Sequence, residues 1–125
     1  MWIPENVNPA GNDDVDCTVR AISKITDKSW NEVYAALCAI GFEKKRMPVS
    51  DSVWGTYLRR LGWAGRFVLT DCINCETVDD FCRAAPIGRY LVKCDNHVIA
   101  VIDGDVYDTF NSSYMTPIYY FYKET

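Results

Sequence analysis

The chain has 125 residues, one histidine (His97) and no glutamine. Chemistry that needs imidazole as a base therefore has one candidate. No apolar run approaches the roughly 18 residues that would span a bilayer, so no membrane partner is expected. Residues Met1 to Asn6 lack the basic-then-apolar pattern of a secretory leader. Positive charge is scarce: 13 Lys and Arg stand against 17 Asp and Glu, for a net charge of −4. No basic patch stands out, which argues against a nucleic-acid partner. Six cysteines are too few for a disulfide scaffold, and a chain this long needs no staples. The expectation is a cytoplasmic protein with mostly reduced thiols, folded as a single domain over residues 1–125.

What is present is a core-forming composition, 49% hydrophobic and 14% aromatic. Residues 1–15, rich in Asn, Asp, Pro and Gly, read as a looping arm. Asp16 is placed to cap a helix starting at Cys17, with Val19, Ala21, Ile22 and Ile25 at helical spacing. Ser29 and Glu32 form a capping-box pattern ahead of Val33, Ala36, Leu37 and Ile40, with Gly41 as the stop. Ser50 or Asp51 caps a third helix carrying Val53, Trp54, Tyr57, Leu58 and Leu61, ending at Gly62. Residues 66–70 read as a short strand. Thr77 and Asp80 cap a short fourth helix through Cys82. Strands are expected at 89–94, 97–102, 105–110 and 118–122. Helices first and an antiparallel sheet last argue for the α+β class.

Asp103-Gly104 is a strong signal for a two-residue hairpin turn. With that turn Ile102 pairs with Asp105, and counting outward sets Ile99 opposite Asp108 and His97 opposite Phe110. Side chains alternate along a strand, so these four share one face. His97 and Asp108 become diagonal neighbours with Cβ atoms roughly 5–8 Å apart. A carboxylate there would fix the ring tautomer and favour imidazolium. The bland alternative is a histidine satisfied inside a core. A one-residue slip would separate the pair.

Cys17 opens the first helix, where unpaired N–H groups and the helix dipole favour a negative charge. Thiol pKa values fall at such positions, and the thiolate is the nucleophile. Cys17, His97 and Asp108 thus form a candidate nucleophile, base and orienting residue. Taken alone, Cys17 would be read as a small buried residue where helix meets sheet.

The order of a helix-opening cysteine, a strand histidine and an acidic residue on the next strand resembles that of papain-like cysteine peptidases. More closely, the chain resembles small uncharacterised phage and prophage proteins thought to share that fold. The matching stretches are Asp16 to Ile22, Trp30 to Leu37, His97 to Gly104, and Tyr107-Asp108. The resemblance implies N-terminal helices packed on a C-terminal antiparallel sheet. It also implies a thiol peptidase or amidase acting on a peptide or other amide, without a cofactor, in a bacterial host or phage-infected cell. Papain-like enzymes usually carry a glutamine before the cysteine as an oxyanion donor. With none here, Asn12 or Asn8 would have to take that role beside the Cys17 N–H. The missing glutamine also supports a second reading, a catalytically idle domain serving as a binding or phage-assembly module.

Three signals compete or stand apart. Cys94 is a rival nucleophile if Asp95-Asn96 is a tight turn that pairs it with His97. Cys72, Cys75 and Cys82 have partial zinc spacing but lack a second close pair, so no metal is expected. Glu43-Lys44-Lys45-Arg46 reads as a solvated loop, and Tyr119 to Tyr122 as a strand partly covered by helices.

Overall fold

The computed structural model describes residues 1–12, 15–69 and 75–123. In chain order its elements are β1 (Trp2–Pro4), α1 (Cys17–Thr26), α2 (Trp30–Lys44), α3 (Asp51–Arg60), β2 (Ala64–Val68), α4 (Val78–Ala84), β3 (Arg89–Cys94), β4 (His97–Ile102), β5 (Asp105–Asp108) and β6 (Pro117–Tyr122). The class is α+β, with a six-stranded sheet ordered β1-β5-β4-β3-β6-β2. Every neighbouring pair is antiparallel except β1 with β5, which is parallel.

Alternation along the strands sends side chains to two cores. Leu91, Val98, Ala100, Tyr119 and Phe121 meet α1, α2 and α3 on one face. Val92, Ile99, Val101 and Val106 meet Val78 and Phe81 of α4 on the other. Val19, Ile22 and Ile25 supply the buried stripe of α1, Val33, Leu37 and Ile40 that of α2, and Val53, Trp54 and Leu58 that of α3. Each fully buried large apolar side chain contributes roughly 1.5–3 kcal/mol. α1 lies across β4 and reaches β3 and β5. That placement brings the first residue of α1 beside the first residue of β4.

Several expectations from the sequence need correction. The sheet is mixed rather than antiparallel, because the arm contributes β1. Three residues are too few for an alternation pattern, and the strand is held by a distant edge: Val106 donates its N–H to the Met1 carbonyl at 2.8 Å. β2, expected as a short strand over 66–70, starts two residues earlier and forms the opposite edge of the same sheet, and residue 70 lies outside the described residues. Helices cover both faces of the sheet. α2 does not stop at Gly41 but runs to Lys44, with Lys45 left-handed at φ 59°. Gly41 answers a close approach instead, since a Cβ there would lie 2.6 Å from the Arg46 carbonyl oxygen. The third hairpin strand ends at Asp108, two residues short of expectation.

The hairpin register agrees with the count from the turn. Ile102 pairs with Asp105, Val101 with Val106 and Ala100 with Tyr107. Asp103 and Gly104 both take positive φ, 50° and 81°, the geometry that matches a tight turn to strand twist. No helix among the described residues is long and apolar enough to cross a membrane.

Candidate active site

Four local decisions build the site. The first is at the start of α1. Asp16 occupies the N-cap position, but its side chain makes no capping bond. Its buried carboxylate accepts instead from Asn8 Nδ2 at 3.0 Å, from Trp30 Nε1 at 3.0 Å and from Arg20. The first-turn N–H groups are thus not capped by Asp16, and Cys17 sits at the positive end of the helix dipole.

The second decision is the β3–β4 turn. Asn96 is left-handed at φ 53°, and Cys94 pairs with His97 across it. His97 is buried, and its Nε2 lies 2.6 Å from Asp108 Oδ2. The Phe110 ring tilts against the imidazole, 5.0 Å between centroids, although Phe110 is past the end of β5. With Nε2 committed to Asp108, Nδ1 is the nitrogen left for the Cys17 thiol, and the thiol's interaction with His97 helps raise the imidazole pKa.

The third decision is the environment of Asp108, which is 5% exposed and fully partnered. Oδ2 also accepts from Ser112 Oγ at 2.7 Å, and Oδ1 accepts from the Thr109 N–H at 2.8 Å. Arg20 Nη2 stands 3.7 Å from Oδ1 and so ties Asp108 to Asp16 across the buried side of α1. Trp2 Nε1 donates to the Asp108 carbonyl at 3.2 Å, an anchor supplied by β1.

These contacts set the protonation states. Burial pushes the Cys17 thiol up, but hydrogen bonds to His97 and the Val98 backbone, the imidazolium charge and a hydrogen bond with Thr18 outweigh it, and the pKa falls below 9.0. Burial disfavours the His97 imidazolium. The hydrogen bonds and charges of Asp108 and Cys17 more than reverse this and raise its pKa from 6.5 to about 9. Burial likewise works against the Asp108 carboxylate, but His97 and Ser112 hold it below the ordinary value. The arrangement favours a thiolate–imidazolium pair backed by a carboxylate.

The fourth decision is access. Cys17 is half-buried and lines an open cleft of about 490 Å³ together with His97, Val98, Thr18, Lys93 and Phe110. A thiol sealed under aromatics would have had no such opening.

The remaining candidates lie elsewhere. Asn8 points its amide at Asp16, and its Oδ1 accepts from the Ala10 N–H at 2.9 Å, so its side chain braces the arm. Asn12 is exposed. Neither lines the cleft at Cys17. Cys94 pairs with His97 as the turn implies, but it is fully buried, and burial pushes its thiol up to about 12. Burial also raises Cys82, to about 11. Cys75 is disulfide-bonded, which removes a thiolate from the zinc spacing; Cys72 lies outside the described residues. Cys17, Cys38, Cys82 and Cys94 are free.

Sequence reasoning missed Arg20 and Ser112. Arg20 had a signal: a cation four residues after Asp16, set among the buried positions of α1. Ser112 had none, because it reaches Asp108 from a loop. Comparison with protein-family models, with curated proteins and with solved structures finds no match for this chain.

Proposed function

We propose that this chain is a papain-like thiol hydrolase acting on amide bonds, with Cys17 as nucleophile, His97 as proton carrier and Asp108 as the residue orienting His97. One observation carries the reading: the sole imidazole bonds Asp108 through Nε2 and lines one open cleft with a thiol that opens a helix and whose pKa it lowers. The chain order of the three residues supports the papain-like assignment.

The steps balance with these groups alone. The Cys17 thiolate attacks the carbonyl carbon, and a C–S bond forms as the carbonyl electrons move to oxygen. The Cys17 N–H, one of those a helix leaves without an internal partner, faces the growing negative charge. The His97 imidazolium gives its Nδ1 proton to the leaving amine, and the C–N bond breaks to leave a thioester. Neutral His97 then takes a proton from water, hydroxide adds to the thioester carbon, and the C–S bond breaks to return the thiolate. Asp108 keeps its charge throughout and holds the ring.

The test is alkylation by iodoacetamide at pH 6. Cys17 should react well ahead of Cys38, and His97→Ala should abolish the difference. Equal, slow labelling of Cys17 and Cys38 would refute an activated thiol. Labelling that survives Cys17→Ala but disappears in Cys94→Ala would transfer the role to Cys94.

A second reading keeps the fold without turnover, as a binding or phage-assembly module. The observation that favours it is the oxyanion side: the chain has no glutamine, and Asn8 is engaged with Asp16. An activated thiol that forms no acyl-enzyme with activated esters would select it.

A further inference from the structure

The cations at the end of α2 and in the loop after it do not stand alone. Lys44 and Arg46 line one groove of about 520 Å³ with Arg59 from the end of α3 and Arg66 from β2. Four cations therefore converge in a chain whose net charge is −4. Among the described residues none of the four makes an ion pair, whereas Arg60, Arg83 and Arg89 each do. The carboxylate in the groove is Asp51, and it is already engaged. Lys93 stands 3.5 Å from it, and Trp54 Nε1 and the Tyr119 hydroxyl donate to it at 3.2 and 2.9 Å. The groove is thus a concentration of unneutralised positive charge.

Its position gives this charge a use. Asp51 lines both this groove and the cleft that holds Cys17 and His97, so the two depressions adjoin across one residue. A chain lying in the cleft can continue over Asp51 into the groove. The aromatic faces there are covered: Arg66 sits 4.3 Å above the Tyr119 ring and Arg59 5.4 Å from that of Phe121. Rings under guanidinium groups do not offer the free stacking platforms that single-stranded nucleic acid uses. A guanidinium stacked on a ring keeps its in-plane N–H donors, which suit carboxylates.

We infer that this groove is a subsite for an acidic polypeptide segment, so that the cleft selects substrates with Asp or Glu residues flanking the bond at Cys17. The selection of substrates rests on the hydrolase reading; binding of the acidic segment does not.

The experiment measures both parts. Fluorescein-labelled hexaglutamate and hexaglutamine are titrated with the intact protein at low salt and followed by anisotropy. Hexaglutamate should bind roughly tenfold more tightly, and Lys44→Glu/Arg66→Glu should lose that advantage. Arg46→Glu, in the exposed loop, is the second variant should the first fail to fold, and should weaken the acidic peptide alone. Iodoacetyl-Gly-tetraglutamate should then alkylate Cys17 faster than its tetraglutamine counterpart. Equal binding of the two hexapeptides overturns the subsite, as does an advantage untouched by both variants. A labelled dodecathymidylate that binds more tightly than hexaglutamate through the same residues overturns the choice of ligand. Failure of the hydrolase reading would appear separately, as an iodoacetamide-inert Cys17 beside intact charge-selective binding.

Discussion

Replacing Asp108 by Asn keeps the size of the side chain and removes its charge. His97 is the only histidine in the chain, so its imidazole proton resonance reads one titration without assignment. In the wild type that midpoint should lie at about 9, raised from 6.5. The rise corresponds to about 3 kcal/mol of preference for imidazolium in the folded protein, shared between Asp108 and the Cys17 thiolate. Losing the carboxylate should lower the midpoint by roughly 1–3 units, the usual effect of one adjacent opposite charge. Arg20, deprived of the Asp108 carboxylate, pushes the same way. Stability follows with a definite sign. A folded pKa above the unfolded one contributes stability that is complete below about pH 6.5 and is lost as pH rises through about 9. The destabilisation by Asp108→Asn should therefore be largest near pH 6 and shrink toward pH 10, over and above a constant loss from the Ser112 and Thr109 bonds. Urea denaturation across that range measures it. A wild-type midpoint at or below 6.5, or one unmoved by the substitution, would refute the account of the site.

Other outcomes follow from the same geometry. Turnover should be bell-shaped in pH, rising through the lowered Cys17 pKa and falling near 9 as His97 loses its proton, whereas alkylation by iodoacetamide should rise without the falling limb. Arg20→Met leaves two buried carboxylates without their shared cation and should cost about 3–5 kcal/mol in denaturant unfolding. Ser112→Ala removes one donor to Asp108 and should cost about 1 kcal/mol while moving the His97 midpoint slightly upward, since the carboxylate regains basicity. Trp54→Ala empties the largest side chain buried beneath α3 and should cost about 3–5 kcal/mol, with the His97 midpoint unchanged.

The helices and the central hairpin were legible because their signals are local. Ser29 accepts from the Glu32 N–H, and Thr77 and Asp80 complete a reciprocal capping box, each within one turn of chain. The register that joins His97 to Asp108 came from a two-residue turn and from counting, since alternation leaves no freedom once the turn is known. Asp16 shows the limit of such reasoning. Its position before α1 was legible, but its partners Asn8, Trp30 and Arg20 are set by tertiary packing, and they draw the carboxylate away from the helix end.

The amino-acid sequence by itself determined the α+β class, the hairpin register and the pairing of the lone histidine with Asp108, because period, caps and turn chemistry act over a few residues. Only the tertiary structure showed that Cys17, already favoured by its place at a helix start, opens on a cleft with a lowered pKa while Cys94 is sealed away. Both cysteines lie beside His97, but one opens a helix at a cleft and the other is sealed in the second core, where burial keeps a thiol protonated. The edge strand β1, the Arg20 bridge and the basic groove also belong to the tertiary structure, for each joins segments whose proximity no local pattern encodes.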